Sequence, residues 1–408
     1  MESHLEMPKP FRNNAYALTA LLLSPALAAE TVATLRCAIH RGGVAWGEVL
    51  RHANQHFCSP LLYVRLREHG LLEALPAELA IYLRYLHAAN WERNEEFRST
   101  LVAVLRIAEE LGIECMLLKG GATFCACLYG DLGARMMGDL DLLVSKEDAV
   151  RLQREIIARR GGRELGRGEK DRRLFSEEFE HYHLPRLLPA QGPVDIEIHW
   201  EIGSGQVRRG LPAAIMWQRR EAMALDGVAV FLPDPTCRLL HVTLHALLPH
   251  REYIRSSLAL AHLAEFSALR HKYHDSIQWD EWLAAGTAAG VRSQFTLLRE
   301  LETSLADRRD HGQADRPRLS TLAGRERLLA AGALIGHGPE PASPCENMRK
   351  KVILFWIGIF YWQKVPGWIW NNYCYLKGCR SLPRRFYLMT NWILRRLVFP
   401  RRKREAKT

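Results

Sequence analysis

Residues 117–144 read LLKGGATFCACLYGDLGARMMGDLDLLV. The apolar run Cys115-Met116-Leu117-Leu118 ends at Lys119-Gly120-Gly121, a pattern of strand, glycine turn and then helix, with the helical stretch placed at Ala122 to Tyr129. A turn at Gly130-Asp131 and the basic Arg135 lead to a second strand, Gly138 to Val144, which carries Asp139 and Asp141. Side chains alternate with period two along a strand, so these two carboxylates share a face. Such a pair repels itself unless a cation or proton intervenes, and hard divalent cations such as Mg²⁺ prefer oxygen ligands. A glycine turn beside the pair leaves room for a phosphate to approach backbone amides. Leu140, Leu142 and Leu143 mark a central strand, where an uncompensated acid pair would be costly.

Working outward, Val194-Asp195-Ile196-Glu197-Ile198-His199-Trp200 alternates like a strand and is followed by Glu201. Leu118-Lys119-Gly120, Arg135, Asp139-Leu140-Asp141-Leu142-Leu143-Val144 and this acidic-x-His-Trp segment resemble, in that order, the bacterial uncharacterised nucleotidyltransferase family of the DNA polymerase β-like superfamily. The motifs span residues 105–202. The resemblance implies an α+β fold: a small mixed β-sheet nucleotidyltransferase core flanked by mostly helical N- and C-terminal regions. It also implies transfer of a nucleoside monophosphate from an NTP to an acceptor hydroxyl. Two Mg²⁺ ions would be held by Asp139, Asp141 and a third carboxylate, which maps onto Glu197, with Asp195 on the same face as its rival. Lys119, Gly120 and Gly121 would contact the triphosphate, Arg135 the developing phosphate charge, and His199 would orient Glu197 or the acceptor. The wider superfamily has Gly-Ser at the turn; Lys119-Gly120-Gly121 lacks that hydroxyl.

At 408 residues, with 48 % hydrophobic and 25 % charged residues, the chain has the make-up of a multi-domain globular protein. Its expected division is a helical region over 1–104, the core over 105–232, a helical domain over 233–340 and a tail over 341–408. Nine cysteines without C-x-x-C spacing, and no signal-peptide pattern, fit a cytoplasmic protein. Cys125 and Cys127 lie two apart on the expected helix and so read as packing residues. His40, His52, His56 and Cys58 match no zinc pattern.

The net charge of +11 is uneven. From Arg349 onward fifteen Lys and Arg face one acid, Glu405, which leaves the remaining chain at about −3. A nucleic-acid partner is therefore not expected at the core, and a small-molecule, glycan or peptide acceptor is preferred. Val352 to Trp362 is apolar all round but too short to span a bilayer, and five of the eleven tryptophans follow residue 349. Aromatics beside Lys and Arg favour a membrane interface, so residues 352–404 are a candidate for peripheral membrane contact. The alternative is that these aromatics complete a helical core and the basic end is solvated.

The rest reads as helices. Glu78 to Leu111 has helical spacing over a long span, Leu71 to Leu75 suggests a helix end, and Lys146 to Arg160 is an amphipathic helix capped by Ser145. Residues 163–178 are a polar loop or hairpin tip, Phe179 to Leu188 a strand, and Val228 to Leu232 a last short strand. Thr236 to Leu269 and Gln278 to Arg299 are helical, with Asp307–Arg318 and Gly336–Pro344 as breaks. His241 and His245, four apart, have the spacing of a helical metal pair but lack the Glu of His-Glu-x-x-His, which favours a packing role. The competing function class is a nucleotidyltransferase-like module that binds or scaffolds without catalysis.

Overall fold

The structure, a computed structural model, describes residues 14–164, 182–188, 190, 194–248 and 258–305. Its architecture is α+β. The alternating segments of the sequence become strands of one mixed sheet: β1 (Met116–Leu117), β2 (Asp139–Leu143), β3 (Arg163–Glu164), β4 (Leu187–Leu188), β5 (Asp195–His199), β6 (Arg220–Leu225) and β7 (Val228–Pro233). The spatial order is β3-β4-β5-β2-β1-β7-β6. β2 runs parallel to β5 and antiparallel to β1, so the acid-bearing strands lie side by side in the middle of the sheet.

Period two then sorts the residues. Leu140, Leu142, Ile196 and Ile198 face a core shared with Phe97, Leu101 and Leu105 of the helix Ala77–Glu110 and with Ala149, Leu152 and Ile156 of the helix Lys146–Arg160. Phe97 and Leu101 are 1 % exposed; full burial of such side chains stabilises by about 1.5–3 kcal/mol each. The opposite face carries Asp139, Asp141, Asp195, Glu197 and His199. Leu143 and Met116 on that side belong to a second core with Leu239, Leu240 and Leu244 of the helix Pro235–Leu247.

The 34-residue helix Ala77–Glu110 joins the two cores. Its first half buries Leu79 and Leu83 with Leu62 and Leu66 of the helix Ser59–Glu68, and its second half lies on the sheet. Between them, buried Asn90 and Asn94 donate to the carbonyls of Leu132, Gly133 and Arg135 at 2.7–3.0 Å. That clamp fixes the loop entering β2. Asp131 reinforces it, accepting from His87 Nε2 (2.7 Å), Arg67 (2.8 Å) and the amide of Gly133 (2.8 Å).

Several expectations match. The Ser145 hydroxyl caps the helix Lys146–Arg160 by accepting from the amide of Asp148 at 3.1 Å. Others differ. The helix after β1 spans Lys119–Cys125 instead of Ala122 to Tyr129, because Lys119 itself adopts the left-handed φ of +46° and makes the turn. The Leu71–Leu75 segment is only a 3₁₀ turn, Leu72–Ala74. Of the strand expected over Phe179 to Leu188, only Leu187–Leu188 and a bridge at His183 form among the described residues. β6 was not expected; its residues are largely exposed and carry no clear alternation. The span from Thr236 to Leu269 is two helices, Pro235–Leu247 and Leu260–Lys272. No helix among the described residues is long and apolar enough to cross a membrane. The two breaks after residue 306 and the aromatic, basic stretch 352–404 lie outside the described residues.

Candidate active site

The register of β2 on β5 builds the site. Asp139 lies opposite Asp195 and Asp141 opposite Glu197, with His199 opposite Leu143. Four carboxylates and an imidazole thus crowd one patch of the sheet. Asp141 and His199 are 2 % exposed and Glu197 8 %. Charges so deeply buried need partners, and the chain supplies two cations. Lys119 Nζ donates to Asp141 Oδ1 at 2.7 Å. Arg186 reaches across from the segment before β4, donating to Glu197 Oε1 (2.7 Å), Asp139 Oδ2 (3.1 Å) and Asp195 Oδ2 (3.4 Å).

His199 Nε2 lies 2.9 Å from Asp141 Oδ1 and 3.5 Å from Glu197 Oε2. Tyr182 and His183 pack over its ring, with ring centroids 6.0 and 5.1 Å away. Burial lowers the His199 pKa, but its bonds to both carboxylates outweigh this and hold it above the ordinary histidine value. The carboxylates split in response. Burial, then the charge of Asp141, pushes Asp139 well above the usual carboxylate range. Burial also raises Asp141 and Glu197, yet Asp141 is held well below that range by Lys119 and His199, and Glu197 by His199, Lys119 and Arg186. Perturbation of this size, in opposite directions within one group, is characteristic of a functional site.

Among the described residues, one group of His, Cys, Asp or Glu has ligand atoms close enough together for a metal ion: Asp141, Glu197 and His199, all within 4.8 Å of one another. Two carboxylates with an imidazole fit a divalent cation. Oxygen donors favour Mg²⁺, and a ligating imidazole would favour a softer ion such as Mn²⁺ or Zn²⁺. Asp139 is outside this group but is tied to the same Arg186.

A family model described as an uncharacterised nucleotidyltransferase matches residues 42–306. The chain belongs to this nucleotidyltransferase family. No curated protein and no solved structure matches the chain. The nucleotidyltransferase match takes in the sheet and helices on both sides of it.

Other residues singled out in the sequence of this nucleotidyltransferase fall in different places. Gly120 and Gly121 are buried in the first turn of the helix Lys119–Cys125, and a Cβ on Gly120 would meet Met137 Cγ at 3.0 Å. The ion pair of Arg135 is with Glu265 of the helix Leu260–Lys272, at 2.9 Å, and Thr123 donates to the other Glu265 oxygen at 2.7 Å. His241 and His245 have ring centroids 6.2 Å apart. His52 and His56 stack beside Tyr16, and Cys58 donates to the carbonyl of His56. Cys125 is buried and Cys127 exposed. The residue that sequence reasoning missed is Arg186. Its only signal was a basic residue beside Pro185 in an otherwise apolar run, and its target emerges only once β4 pairs with β5.

Proposed function

We propose that the protein transfers a nucleoside monophosphate from an NTP to a hydroxyl of a small-molecule, glycan or peptide acceptor, in the manner of polymerase β-like enzymes. The observation that carries this reading is the register of β2 on β5, which sets half-buried Asp139 and buried Asp141 beside buried Glu197 on one face. Asp139, Asp141 and Glu197 are the residues that would hold two Mg²⁺ ions, which when bound neutralise triphosphate charge and lower the pKa of the acceptor hydroxyl. The acceptor oxygen attacks the α-phosphorus, the α–β phosphoanhydride bond breaks, and pyrophosphate leaves. Glu197 takes the acceptor proton. His199 orients Glu197 and Asp141 through its Nε2. Lys119 and the amides of Gly120 and Gly121 meet the triphosphate. Arg135 contributes its field to the developing charge through its position near Asp139.

One observation favours the competing reading, a non-catalytic module: Lys119 and Arg186 compensate the carboxylates from within the chain. Label transfer separates the two. The protein is incubated with each α-³²P-labelled NTP, Mg²⁺ and fractionated cell extract, beside Asp141→Asn. Transfer to one fraction by wild type, lost in the variant, is the expected result. Equal labelling by both proteins, or none in any fraction, favours the non-catalytic module.

A further inference from the structure

Behind Lys119 lies a cleft of about 510 Å³, open mouth included, between the helices Lys119–Cys125, Pro235–Leu247 and Leu260–Lys272. Lys119, Thr123, Arg135, Arg238, His241 and Glu265 are among its walls. Three permanent cations therefore face one acid.

The hydrogen bonds on these walls do not close. Glu265 is fully engaged: one oxygen takes the Thr123 hydroxyl and the other the Arg135 guanidinium. Lys119 is spent on Asp141. Arg238 reaches Tyr273 Oη and Glu221 only at 3.4 and 3.5 Å, and its Nε has no partner; nor does the Nε of Arg135. His241 is 4 % exposed and its Nε2 is likewise unpartnered. Buried polar nitrogens are almost always paired, so an accumulation of unpaired ones along a cleft marks a place for an acceptor. The unpartnered arginine nitrogens offer a cation no lone pair, and an apolar ligand would leave them unpaired. An oxyanion meets both demands, and the planar Arg fork suits phosphate.

We propose that this cleft is a phosphate subsite in which Arg238, Arg135 and His241 hold one phosphate group of a reaction component. The group is either the end of the donor's polyphosphate or a phosphate carried by the acceptor. Its link to the reaction, through Lys119, rests on the nucleotidyltransferase reading; the binding of phosphate itself does not.

The test is calorimetry with inorganic tripolyphosphate in EDTA, on the full chain. Wild type, Arg238→Met, His241→Leu and the Asp139→Ala/Asp141→Ala double variant are compared. Fifteen basic residues from Arg349 onward also attract polyanions, so the signal is the difference between variants. The proposal expects saturable binding in wild type, at least tenfold weaker in Arg238→Met and His241→Leu and retained in the double carboxylate variant. His241→Leu should melt no lower than wild type, since it removes an unpaired nitrogen. Competition by a non-hydrolysable NTP with Mg²⁺ assigns the cleft to the donor; simultaneous binding assigns it to a phosphorylated acceptor. Equal affinity in wild type and both cleft variants overturns the proposal. Loss of NTP binding in the double variant with tripolyphosphate binding intact separates the cleft from the carboxylate face.

Discussion

Replacing Lys119 by Met removes the ammonium that holds Asp141. The bond is 2.7 Å long, Asp141 is 2 % exposed, and the Lys119 side chain is 23 % exposed. Removing one partner of a buried ion pair costs about 3–5 kcal/mol, most of it the desolvation of the charge left behind. Asp141 keeps its contact with His199 at 2.9 Å, which places the expected loss near the lower bound, about 3 kcal/mol. Measured by thermal or urea unfolding in EDTA, the midpoint should fall by roughly 5 °C or more. A divalent cation should then rescue the variant more than it stabilises wild type, because it occupies ground vacated by the ammonium. At a hundredfold excess over its dissociation constant, a ligand of the folded state contributes about 2.7 kcal/mol, nearly the whole loss. Lys119 also sits at φ +46°, where a residue with a Cβ is strained by about 1–2 kcal/mol. Lys119→Gly should therefore lose about 1 kcal/mol less than Lys119→Met. A Lys119→Met stability within about 1 kcal/mol of wild type in EDTA, or no extra rescue by Mn²⁺, would refute the reasoning that the ammonium and a divalent cation compensate the same Asp141 carboxylate.

Further outcomes follow from neighbouring contacts. Arg186→Gln deletes a cation shared by Asp139, Asp195 and Glu197; Mn²⁺ binding, read by electron paramagnetic resonance, should tighten at least about tenfold, equivalent to about 1.4 kcal/mol, and unchanged affinity would contradict this. Gly133→Ala would set a Cβ 2.6 Å from His87 Nε2 and 3.0 Å from the His87 carbonyl oxygen. The strain should cost about 1–3 kcal/mol in urea unfolding; a neutral substitution would show that the loop before β2 is free to move. Burial raises the pKa of Asp131, but its bonds to His87 and Arg67 outweigh this and hold it at about 2. A lowered carboxylate pKa means that the unfolded chain binds the proton first as pH falls. The stabilisation is thus complete above the ordinary value of 3.8 and is lost as pH drops toward about 2. After allowance for solvent screening it amounts to about 1 kcal/mol. Asp131→Asn should flatten that acid limb, and an identical limb in both proteins would count against the network.

Much of the site was legible because period two is a strong signal. Asp139 with Asp141, and Glu197 with His199, could each be placed on one face from their strands alone. That the two faces coincide needed the register, which no local pattern encodes. The Ser145 cap was legible for a similar reason: the cap and its Asp148 amide are three residues apart. The hairpin of β6 and β7 was overlooked because Arg220 to Leu225 is mostly exposed, although Asp226-Gly227, both at positive φ, is a recognised hairpin turn. Lys119 misled in another way. The two glycines suggested a glycine turn, whereas both lie inside a helix, Gly120 against Met137 and Gly121 against Leu117, and the left-handed conformation falls on the lysine. Arg135 and Glu265 are 130 residues apart in the chain, so their pairing is a property of tertiary structure only.

The proposed reaction requires the carboxylate face of β2 and β5 to bind a nucleotide through divalent metal. Calorimetric titration of the full chain with non-hydrolysable NTPs and Mg²⁺, for wild type and for Asp139→Ala/Asp141→Ala, tests it most directly. Binding of at least one NTP by wild type that requires the metal and disappears in the double variant is the predicted result. A well-folded wild type that binds none of them, or a double variant that binds as tightly as wild type, would contradict it.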